Sequence, residues 1–178
     1  MYKRAGIIPV IQYNNQLAVI LFKQKRNGQW IYTDGGGRRN EETDPRVTAC
    51  RELQEESKNM FQLNPNLLEV SWTHTTVKGK YKLLNYMFFI GVKDIDLSIY
   101  HYNKERIKTD IPDWMETHDV NLFYLSDLNH DVWGNPCTLH ELTRMSIEQG
   151  LNKTLIFKTL LLITNHTNDF LDGTKSYL

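Results

Sequence analysis

The chain is poor in cysteine and has no net charge, and each shortage argues against a class of protein. Two cysteines occur among 178 residues, Cys50 and Cys137, without the spacing of a metal-binding pair. So few cysteines argue against a disulfide scaffold and favour a reducing compartment. Lysine plus arginine and aspartate plus glutamate balance at 21 each. The chain is therefore no general binder of polyanions, and phosphate binding requires a local basic patch.

Long apolar runs are also missing. Residues 5–11 form a short apolar run that Pro9 interrupts, which makes a poor signal peptide and is too short to span a membrane. Residues 155–163 include a lysine and a threonine, so a core helix is predicted there and not a membrane span. We expect a cytoplasmic protein without membrane contact. Because no repeat or low-complexity linker divides the chain, residues 1–178 are predicted to form one domain, with 170–178 as a loose tail.

Short apolar segments bounded by turn residues predict strands on both sides of a central helix. Strands are predicted over residues 7–13, 17–22, 30–33, 67–76, 81–92 and 120–125. Turns between them are predicted at Asn14-Asn15, Asn27-Gly28 and Lys78-Gly79-Lys80. The polar residues 101–119 predict a long loop, and further helices are predicted over 139–147 and 153–163. This order of elements indicates an α/β protein with a mixed sheet.

The central helix has clear start signals and one acidic face. Asp44 is a natural N-cap, and Pro45 suits the first helical position, where no backbone N–H is needed. The helix is predicted to run to about Lys58, with Asn59 in the left-handed region beyond it. One side of the helix is apolar. The opposite side carries carboxylates at positions i, i+3 and i+4, on Glu52, Glu55 and Glu56.

Three consecutive glycines, Gly35-Gly36-Gly37, precede this helix. They allow a close backbone approach and are predicted to form a loop. An acidic helix face is most often solvated surface, but here Arg51 and the carboxylates follow fourteen residues after the last glycine. A glycine loop that leads into clustered carboxylates can hold a divalent cation against a phosphate, because Mg²⁺ prefers carboxylate and phosphate oxygens.

At these positions the sequence resembles the Nudix box. That motif reads Gly, five residues, Glu, seven residues, then Arg-Glu-aliphatic-x-Glu-Glu-x-Gly-aliphatic. The positions that match it are Gly37, Arg51, Glu52, Leu53, Glu55 and Glu56. The departures are Thr43 for the first glutamate, Lys58 for the glycine and Asn59 for the aliphatic residue. Glu42 lies next to Thr43 and takes the role of the missing glutamate if the loop is shifted by one residue.

The resemblance implies a fold and an activity. The implied fold is the Nudix α/β/α sandwich with a mixed sheet, and the implied reaction is metal-dependent hydrolysis of a diphosphate linked to a second moiety. By matching positions, Glu52 and Glu56 are the main ligands for Mg²⁺ or Mn²⁺. Glu55 and the carbonyl of Gly37 are further ligands, and Arg51 holds the glutamates by salt bridging. Glu52, Glu55 and Arg51 are thus the catalytic candidates within the motif.

Residues outside the motif are expected to supply a catalytic base and to bind the substrate. In this fold the base often lies on a later loop, where Glu116 is the first candidate, followed by Asp119, Asp113 and Glu105. The predicted substrate-binding residues are Arg38, Arg39, Lys23, Trp30 and Lys80. Further basic residues near the same segments are Lys25, Arg26, Lys78 and Lys82. Several cations near one site favour a substrate with more than two phosphates, or RNA.

The residues do not specify the leaving group. A small phosphorylated substrate is expected, either a nucleotide or an inositol pyrophosphate, and capped RNA stays an alternative. The glycines followed by Glu41-Glu42 also resemble the diphosphoinositol polyphosphate branch of the family, with a loop one residue longer. A catalytically silent Nudix module that binds a ligand without cleaving it is the remaining alternative. The oligomeric state is left open.

Overall fold

The computed structural model describes residues 1–14, 16–92, 95–106, 116–125 and 138–151. The strands are β1 (Tyr2–Tyr13), β2 (Gln16–Arg26), β3 (Gln29–Thr33), β4 (Gly35–Arg38), β5 (Trp72–Lys78), β6 (Tyr81–Val92), β7 (Thr117–Tyr124) and β8 (Thr138–Leu139). The helices are α1 (Pro45–Glu56), α2 (Ser98–Arg106) and α3 (Glu141–Leu151), with a 3₁₀ helix over Pro65–Val70. The helix predicted over 153–163, the tail over 170–178 and Cys137 lie outside the described residues.

The described strands form one eight-stranded mixed sheet. Neighbouring strands follow the order β5-β6-β1-β2-β3-β8, while β4 pairs with β1 and β7 pairs with β2. β1 is parallel to β6 and β3 is parallel to β8, whereas the other pairs are antiparallel. β1 pairs with β4 through its first half and with β2 through its second half. The edge of β1 thus changes partner along its length, and β4 carries the three glycines to that place.

Helices cover both faces of the sheet. Successive residues of a strand point to opposite faces, so Ala5 and Ile7 of β1 join a core that includes Leu53 of α1. Ile8 of β1 joins a second core that includes Ile147 of α3. α2 lies on the same face as α1. Both faces of β1 are buried over residues 5–11, and the sequence of that stretch is apolar throughout. The architecture is α/β/α with a mixed sheet, as the sequence predicts.

The predicted helix start and the turns at Asn27-Gly28 and Lys78-Gly79-Lys80 are confirmed, whereas Asn15 of the turn predicted at Asn14-Asn15 lies outside the described residues. The Asp44 side chain accepts a hydrogen bond from the backbone N–H of Arg46 at 2.8 Å, and Pro45 is the first helical residue. Asn27 and Gly28 have φ values of 50° and 81°, the left-handed pair that a two-residue hairpin turn requires. These signals act between residues that are close in sequence, so the sequence alone could place them.

The three glycines form a strand and not the predicted loop. β4 runs antiparallel to β1, with Gly35 opposite Ile7 and Gly36 opposite Gly6. A Cβ on Gly36 would lie 2.4 Å from the Cα of Gly6. Such an approach of two backbones excludes any side chain at either position. The glycines therefore serve close packing, and their conformation is set by a distant segment of the chain.

Three other segments differ from prediction. Residues 67–70 belong to the 3₁₀ helix and not to a strand. The predicted loop over 101–119 includes the last residues of α2 and the first of β7, while 107–115 lie outside the described residues. α1 ends at Glu56 and not near Lys58. In the described part of the chain, no helix is both long and apolar enough to cross a membrane.

Candidate functional site

Two residues in left-handed backbone close the C-terminus of α1. Lys58 and Asn59 have φ values of 55° and 59°, and the Asn59 N–H donates to the Gln54 carbonyl at 2.8 Å. This is the pattern of a Schellman cap. Lys58 stands where the motif has glycine, so its positive φ costs about 1 kcal/mol. Its side chain is buried, and Asn103 of α2 donates to its carbonyl at 2.8 Å. The departure changes how the chain leaves α1 but leaves the acidic face in place.

Gly37 lies directly beneath the carboxylate of Glu52. A Cβ on Gly37 would lie 2.1 Å from Glu52 Oε2 and 2.6 Å from Glu52 Oε1. Gly35 lies under the same helix, where a Cβ would meet Leu53 Cδ1 at 2.6 Å and Leu53 Cα at 3.1 Å. α1 therefore rests against β4 so closely that the Glu52 carboxylate fills the volume of a missing side chain. The close contact between β4 and α1 explains why glycines at positions 35 and 37 accompany the acidic helix in the sequence.

Arg51 gathers the carboxylates at the edge of the site. Its guanidinium lies 2.6 Å from Glu42 Oε1 and 2.8 Å from Glu52 Oε1. It also lies 3.1 Å from Glu55 Oε2 and donates to the carbonyl of Arg38 at 3.0 Å. Burial pushes the pKa of Glu42 up, but the hydrogen bonds from Arg51 and from the backbone N–H groups of Glu42 and Asn40, with the charge of Arg51, together outweigh it and the pKa falls to about 2. Glu42 thus forms the ion pair one residue before the position that the motif gives to glutamate.

Glu56 is the most deeply buried carboxylate of the acidic face, with 5% of its surface exposed. Its Oε1 accepts a hydrogen bond from Gln24 Nε2 at 2.7 Å. Its Oε2 is buried without a hydrogen-bond partner in the structure. The Gln24 Oε1 accepts from Arg26 at 3.0 Å and 3.2 Å, which fixes the amide against Glu56. Leaving a buried acceptor unpaired costs about 1–3 kcal/mol, and a cation would remove that cost.

Burial disfavours the charged form of the two inner carboxylates. It raises the pKa of Glu52 to about 7, although the Arg51 charge opposes the shift. It also raises the pKa of Glu56 well above the ordinary value, and the nearby charge of Asp34 adds to the rise. The positive charge near each group, Arg51 for Glu52 and Arg4 for Glu56, does not offset the effect of burial, which is the situation that a bound cation reverses.

The donor set fits a hard divalent cation. Among the described residues no three His, Cys, Asp or Glu side chains converge as a ready-made metal cluster. Arg51 pairs with Oε2 of Glu55 and with Oε1 of Glu52, so the oxygens outside these ion pairs include Oε2 of Glu52, Oε2 of Glu56 and the backbone carbonyls beside them. Mg²⁺ commonly takes one or two protein carboxylates and completes its shell with water and substrate phosphate. The residues present therefore fit Mg²⁺ or Mn²⁺ held together with a phosphorylated ligand.

These carboxylates predict a pH dependence for the metal-free protein. The pKa of Glu52 rises from 4.5 to about 7 on folding, so the folded chain keeps a proton that the unfolded chain has lost. Stability therefore falls as pH rises from about 4.5 to about 7. A cation binds the charged form, so we expect Mn²⁺ to raise the melting temperature more at about pH 8 than at about pH 5. Thermal unfolding with and without a chelator measures the difference.

The Glu52→Gln variant is the control for this prediction. The charges that face Glu52 are Arg51, Glu55 and Arg4, and the substitution leaves all of them in place. The metal-free variant should lose part of the fall in stability between about pH 4.5 and about pH 7. An equal Mn²⁺ effect at both pH values in the unmodified protein would contradict the burial of these carboxylates.

The acidic face opens into a cleft of about 610 Å³. Its floor is formed by α1 through Glu52, Glu55 and Glu56. Its rim is basic, with Lys25 and Arg26 from β2 and Arg38 from β4. An acidic floor suits a cation, and a basic rim suits the phosphates that the cation would share.

The five predicted substrate-binding residues lie on more than one surface. Arg38 lines the cleft. Lys23 and Trp30 lie together outside its lining, with the lysine Nζ 5.1 Å from the centre of the indole. Arg39 lies 5.5 Å from the centre of a tyrosine ring of β1. Lys80 lies in the β5–β6 turn, 5.4 Å from the ring of the first residue of β6. The lining also includes Lys25 and Arg26 of β2, which the sequence analysis places among the further basic residues and not among the five predicted substrate-binding residues.

The candidate bases are also spread out. Glu116 lies just before β7 and lines the cleft together with the α1 carboxylates. Asp119 lies 3.2 Å from His101 and is not part of the lining. Glu105 is exposed on α2, and Asp113 lies outside the described residues. Glu116 is thus the candidate that the fold brings into the cleft.

Gln24 is a site residue that the sequence interpretation misses. It contacts Glu56 and is 2% exposed. Before it on β2, Ala18, Ile20 and Phe22 belong to the core beneath α1. Gln24 continues this alternation, so it occupies a buried position with a polar side chain. A polar residue at the end of a buried strand face is the signal that could have identified it.

A buried ion pair supports the glycines from the opposite face of the sheet. Arg4 lies 2.8 Å from Asp34, which is fully buried. Arg4 also donates to the Gly36 carbonyl at 3.0 Å and to Asn85 of β6 at 3.0 Å. Thr143 of α3 donates to Asp34 at 2.6 Å. These contacts link β4 to β1, β6 and α3. Because the residues involved are far apart in sequence, no local sequence pattern predicts the network.

Comparison with known proteins adds the fold. No family model matches the chain, and neither does any curated protein. A MutT/Nudix family protein from Enterococcus faecalis is similar in structure, with a TM-score of 0.57, 12% identity, and 90% of this chain and 68% of that chain covered. A mutT/nudix family protein from Listeria innocua gives a TM-score of 0.47 at 14% identity, covering 90% and 95%. An Ap4A hydrolase from C. elegans gives 0.44 at 14% identity, covering 71% and 82%. On the first of these three similarities, the chain has the fold of the Nudix proteins.

Proposed function

We propose that the chain is a divalent-metal-dependent hydrolase of the Nudix type, which cleaves a diphosphate bond in a nucleoside-diphosphate-linked substrate. The observation that carries this proposal is the buried Glu56 Oε2, which has no hydrogen-bond partner in a cleft with a basic rim. A solvated helix face would not bury such a group, because burial of an uncompensated carboxylate is costly. The Nudix fold of the chain is consistent with the proposed hydrolase function. A cytoplasmic location is part of the proposal, and the free buried thiol of Cys50 supports it.

The acidic residues have assigned roles in this proposal. Glu52 and Glu56 would hold Mg²⁺ or Mn²⁺, with Glu55 and the Gly37 carbonyl as further ligands. Such an ion supplies a Lewis acid that polarises phosphoryl oxygens and makes a bound water more acidic. Arg51 fixes the glutamates through the contacts described above. Because the Glu52 carboxylate rests on Gly37, its position is set before any ligand binds.

Residues of the rim act on the substrate. Lys25, Arg26 and Arg38 line the cleft, where their charges would offset those of the diphosphate as the phosphorus–oxygen bond breaks. Glu116 lines the same cleft and would accept the proton of the attacking water. A general base needs to reach that proton directly or through one water, and the position of Glu116 in the same lining as the α1 carboxylates supports this role.

A silent Nudix module that binds a ligand without cleaving it is the second candidate. The ion pairs of Arg51 favour it, because they engage Glu52 and Glu55 in the absence of a cation. The described residues also contain no group of three metal-binding side chains. This candidate predicts ligand binding without any metal-dependent turnover.

A substrate panel distinguishes the two candidates. The purified chain is incubated with Mg²⁺ or Mn²⁺ and with dinucleoside polyphosphates, ADP-ribose, nucleoside triphosphates, diphosphoinositol polyphosphates or capped RNA. The hydrolase proposal expects turnover of at least one nucleoside-diphosphate-linked compound, lost on addition of a chelator. Absence of turnover on every class, with both metals, would support the silent module instead.

A further inference from the structure

The face of β2 that lies beneath α1 changes character along its length. Alternate residues of a strand point to one face, and on this face Ala18, Ile20 and Phe22 belong to the core. The next two positions are Gln24, which is 2% exposed, and Arg26, which is exposed and lines the cleft. One strand face thus runs from the apolar core, through a buried amide, to a cation at the rim.

The hydrogen bonds that join these polar side chains to α1 have one direction. A guanidinium only donates, an ionised carboxylate only accepts, and an amide side chain does both. Arg26 Nε and Nη2 donate to Gln24 Oε1 at 3.2 Å and 3.0 Å, and Gln24 Nε2 donates to Glu56 Oε1 at 2.7 Å. With the amide turned around, donor would face donor and acceptor would face acceptor. Arg26 therefore sets the orientation in which Gln24 offers a donor to Glu56.

The backbone of Gln24 is held on both sides. β2 lies between β3 and β7 at this point, and Gln24 is opposite Ile31 of β3 and Thr117 of β7. A functional side chain on a paired strand is placed more precisely than one on a loop. Gln24 is thus a fixed point from which one oxygen of Glu56 is held.

The two carboxylate oxygens of Glu56 consequently differ. Oε1 accepts from Gln24, whereas Oε2 is buried and has no hydrogen-bond partner among the described residues. Carboxylates that bind a metal are commonly oriented by a hydrogen bond from a neighbouring group, and loss of that group costs about 10–100-fold in metal affinity. The arrangement leaves Oε2 as the oxygen that is available to a cation.

We propose that Gln24 is a positioning residue for the metal, which holds Glu56 Oε1 so that Oε2 receives the cation, and that Arg26 acts on the metal through Gln24. This inference rests on the metal-binding part of the proposed function. It extends that function, because a residue of the basic rim then supports a metal ligand as well as facing the phosphates. Gln24 and Arg26 both lie outside the segment that resembles the Nudix box.

The test is the affinity for Mn²⁺ alone, measured without substrate from the electron paramagnetic resonance signal of the free ion. Gln24→Met keeps a side chain of similar length and removes the amide, so we expect about 10–100-fold weaker binding. Arg26→Met should also weaken binding, though by less. Removal of a nearby positive charge would by itself strengthen cation binding, so a loss in Arg26→Met has the opposite sign to the effect of charge. The matched control Lys25→Met removes a neighbouring cation of the same cleft and should bind Mn²⁺ at least as tightly as the unmodified protein.

The double variant Gln24→Met/Arg26→Met separates a chain of hydrogen bonds from two independent effects. Without the amide, Arg26 has no contact that leads to Glu56, so the second substitution should cause no further loss. An equal loss from Arg26→Met in both backgrounds would overturn the role of Arg26. Melting temperatures in chelator show whether each variant folds. Because Arg26 is exposed, Arg26→Met tests the inference even if Gln24→Met fails to fold, and unchanged or tighter binding in it would then overturn the inference.

The inference and the proposed function fail in different ways. Unchanged Mn²⁺ affinity in a folded Gln24→Met variant would overturn the positioning role and leave the metal site in place. A protein that binds Mn²⁺, binds it more weakly as Gln24→Met, and cleaves no compound of the substrate panel would keep the positioning role and lose the proposed hydrolase activity. An unmodified protein that binds no Mn²⁺ would overturn both.

Discussion

The Glu56→Gln variant is expected to lose metal-dependent hydrolysis by at least about 10³-fold in kcat/KM while keeping its fold. A metal ligand that stabilises charge in the transition state contributes several kcal/mol, and each 1.36 kcal/mol is about tenfold in rate. Glutamine keeps the size of the side chain, and its amide can stay beside Gln24, the present partner of Glu56 at 2.7 Å. The loss would therefore reflect the missing charge and not a missing volume.

Stability separates this outcome from simple unfolding. The Glu56 carboxylate is buried and its pKa is raised well above the ordinary value, first by burial and then by Asp34. The neutral variant avoids the cost of that charge, so in chelator at about pH 8 its melting temperature should equal or exceed that of the unmodified protein.

Glu148→Gln, on an exposed position of α3, is the matched control and should keep both activity and stability. Turnover of Glu56→Gln at the unmodified rate would show that the assigned metal position is wrong. A lower melting temperature in chelator would instead show that Glu56 has a structural role.

The three glycines are expected to respond differently to alanine. Gly37→Ala should reduce activity by about 10²-fold with little loss of stability, because the three atoms nearest its Cβ all belong to the end of the Glu52 side chain, with Oε2 at 2.1 Å. The side chain can swing away, but the carboxylate then leaves its place. Gly35→Ala and Gly36→Ala should destabilise the fold by about 1–3 kcal/mol or more. Their Cβ atoms meet the Leu53 Cα at 3.1 Å and the Gly6 Cα at 2.4 Å.

Urea unfolding and steady-state kinetics on the same three proteins test this series. The structure predicts that activity and stability separate at Gly37 and fall together at Gly35 and Gly36. If Gly37→Ala loses as much stability as Gly36→Ala, the contact between Gly37 and the Glu52 carboxylate is not the reason for glycine at that position.

Local signals explain which elements the sequence could predict. The Asp44-Pro45 start of α1 depends on a cap bond within two residues of the chain. The same kind of signal is present at Asn64-Pro65, where the Asn64 side chain accepts from the N–H of Asn66 and a 3₁₀ helix begins. The apolar residues over 67–76 nevertheless predict a strand, because the leucines and valine there suit a strand equally well.

Contacts between distant segments explain what the sequence could not predict. Gly35 to Gly37 resemble a loop by composition and become a strand through pairing with β1. The pair of Arg4 and Asp34 depends on the same register. The carboxylates of the candidate site were predictable because one helix spacing sets them. The basic residues of the rim were harder to predict, because Lys25 and Arg26 reach the cleft only through the pairing of β2 within the sheet.

The most direct measurement is the position of Mn²⁺ in crystals soaked with that ion, located by its anomalous scattering. The account predicts a peak about 2.2 Å from carboxylate oxygens of both Glu52 and Glu56, at the floor of the cleft beside Gly37. A cleft without an anomalous peak at saturating Mn²⁺, or a peak that contacts neither glutamate, would contradict it.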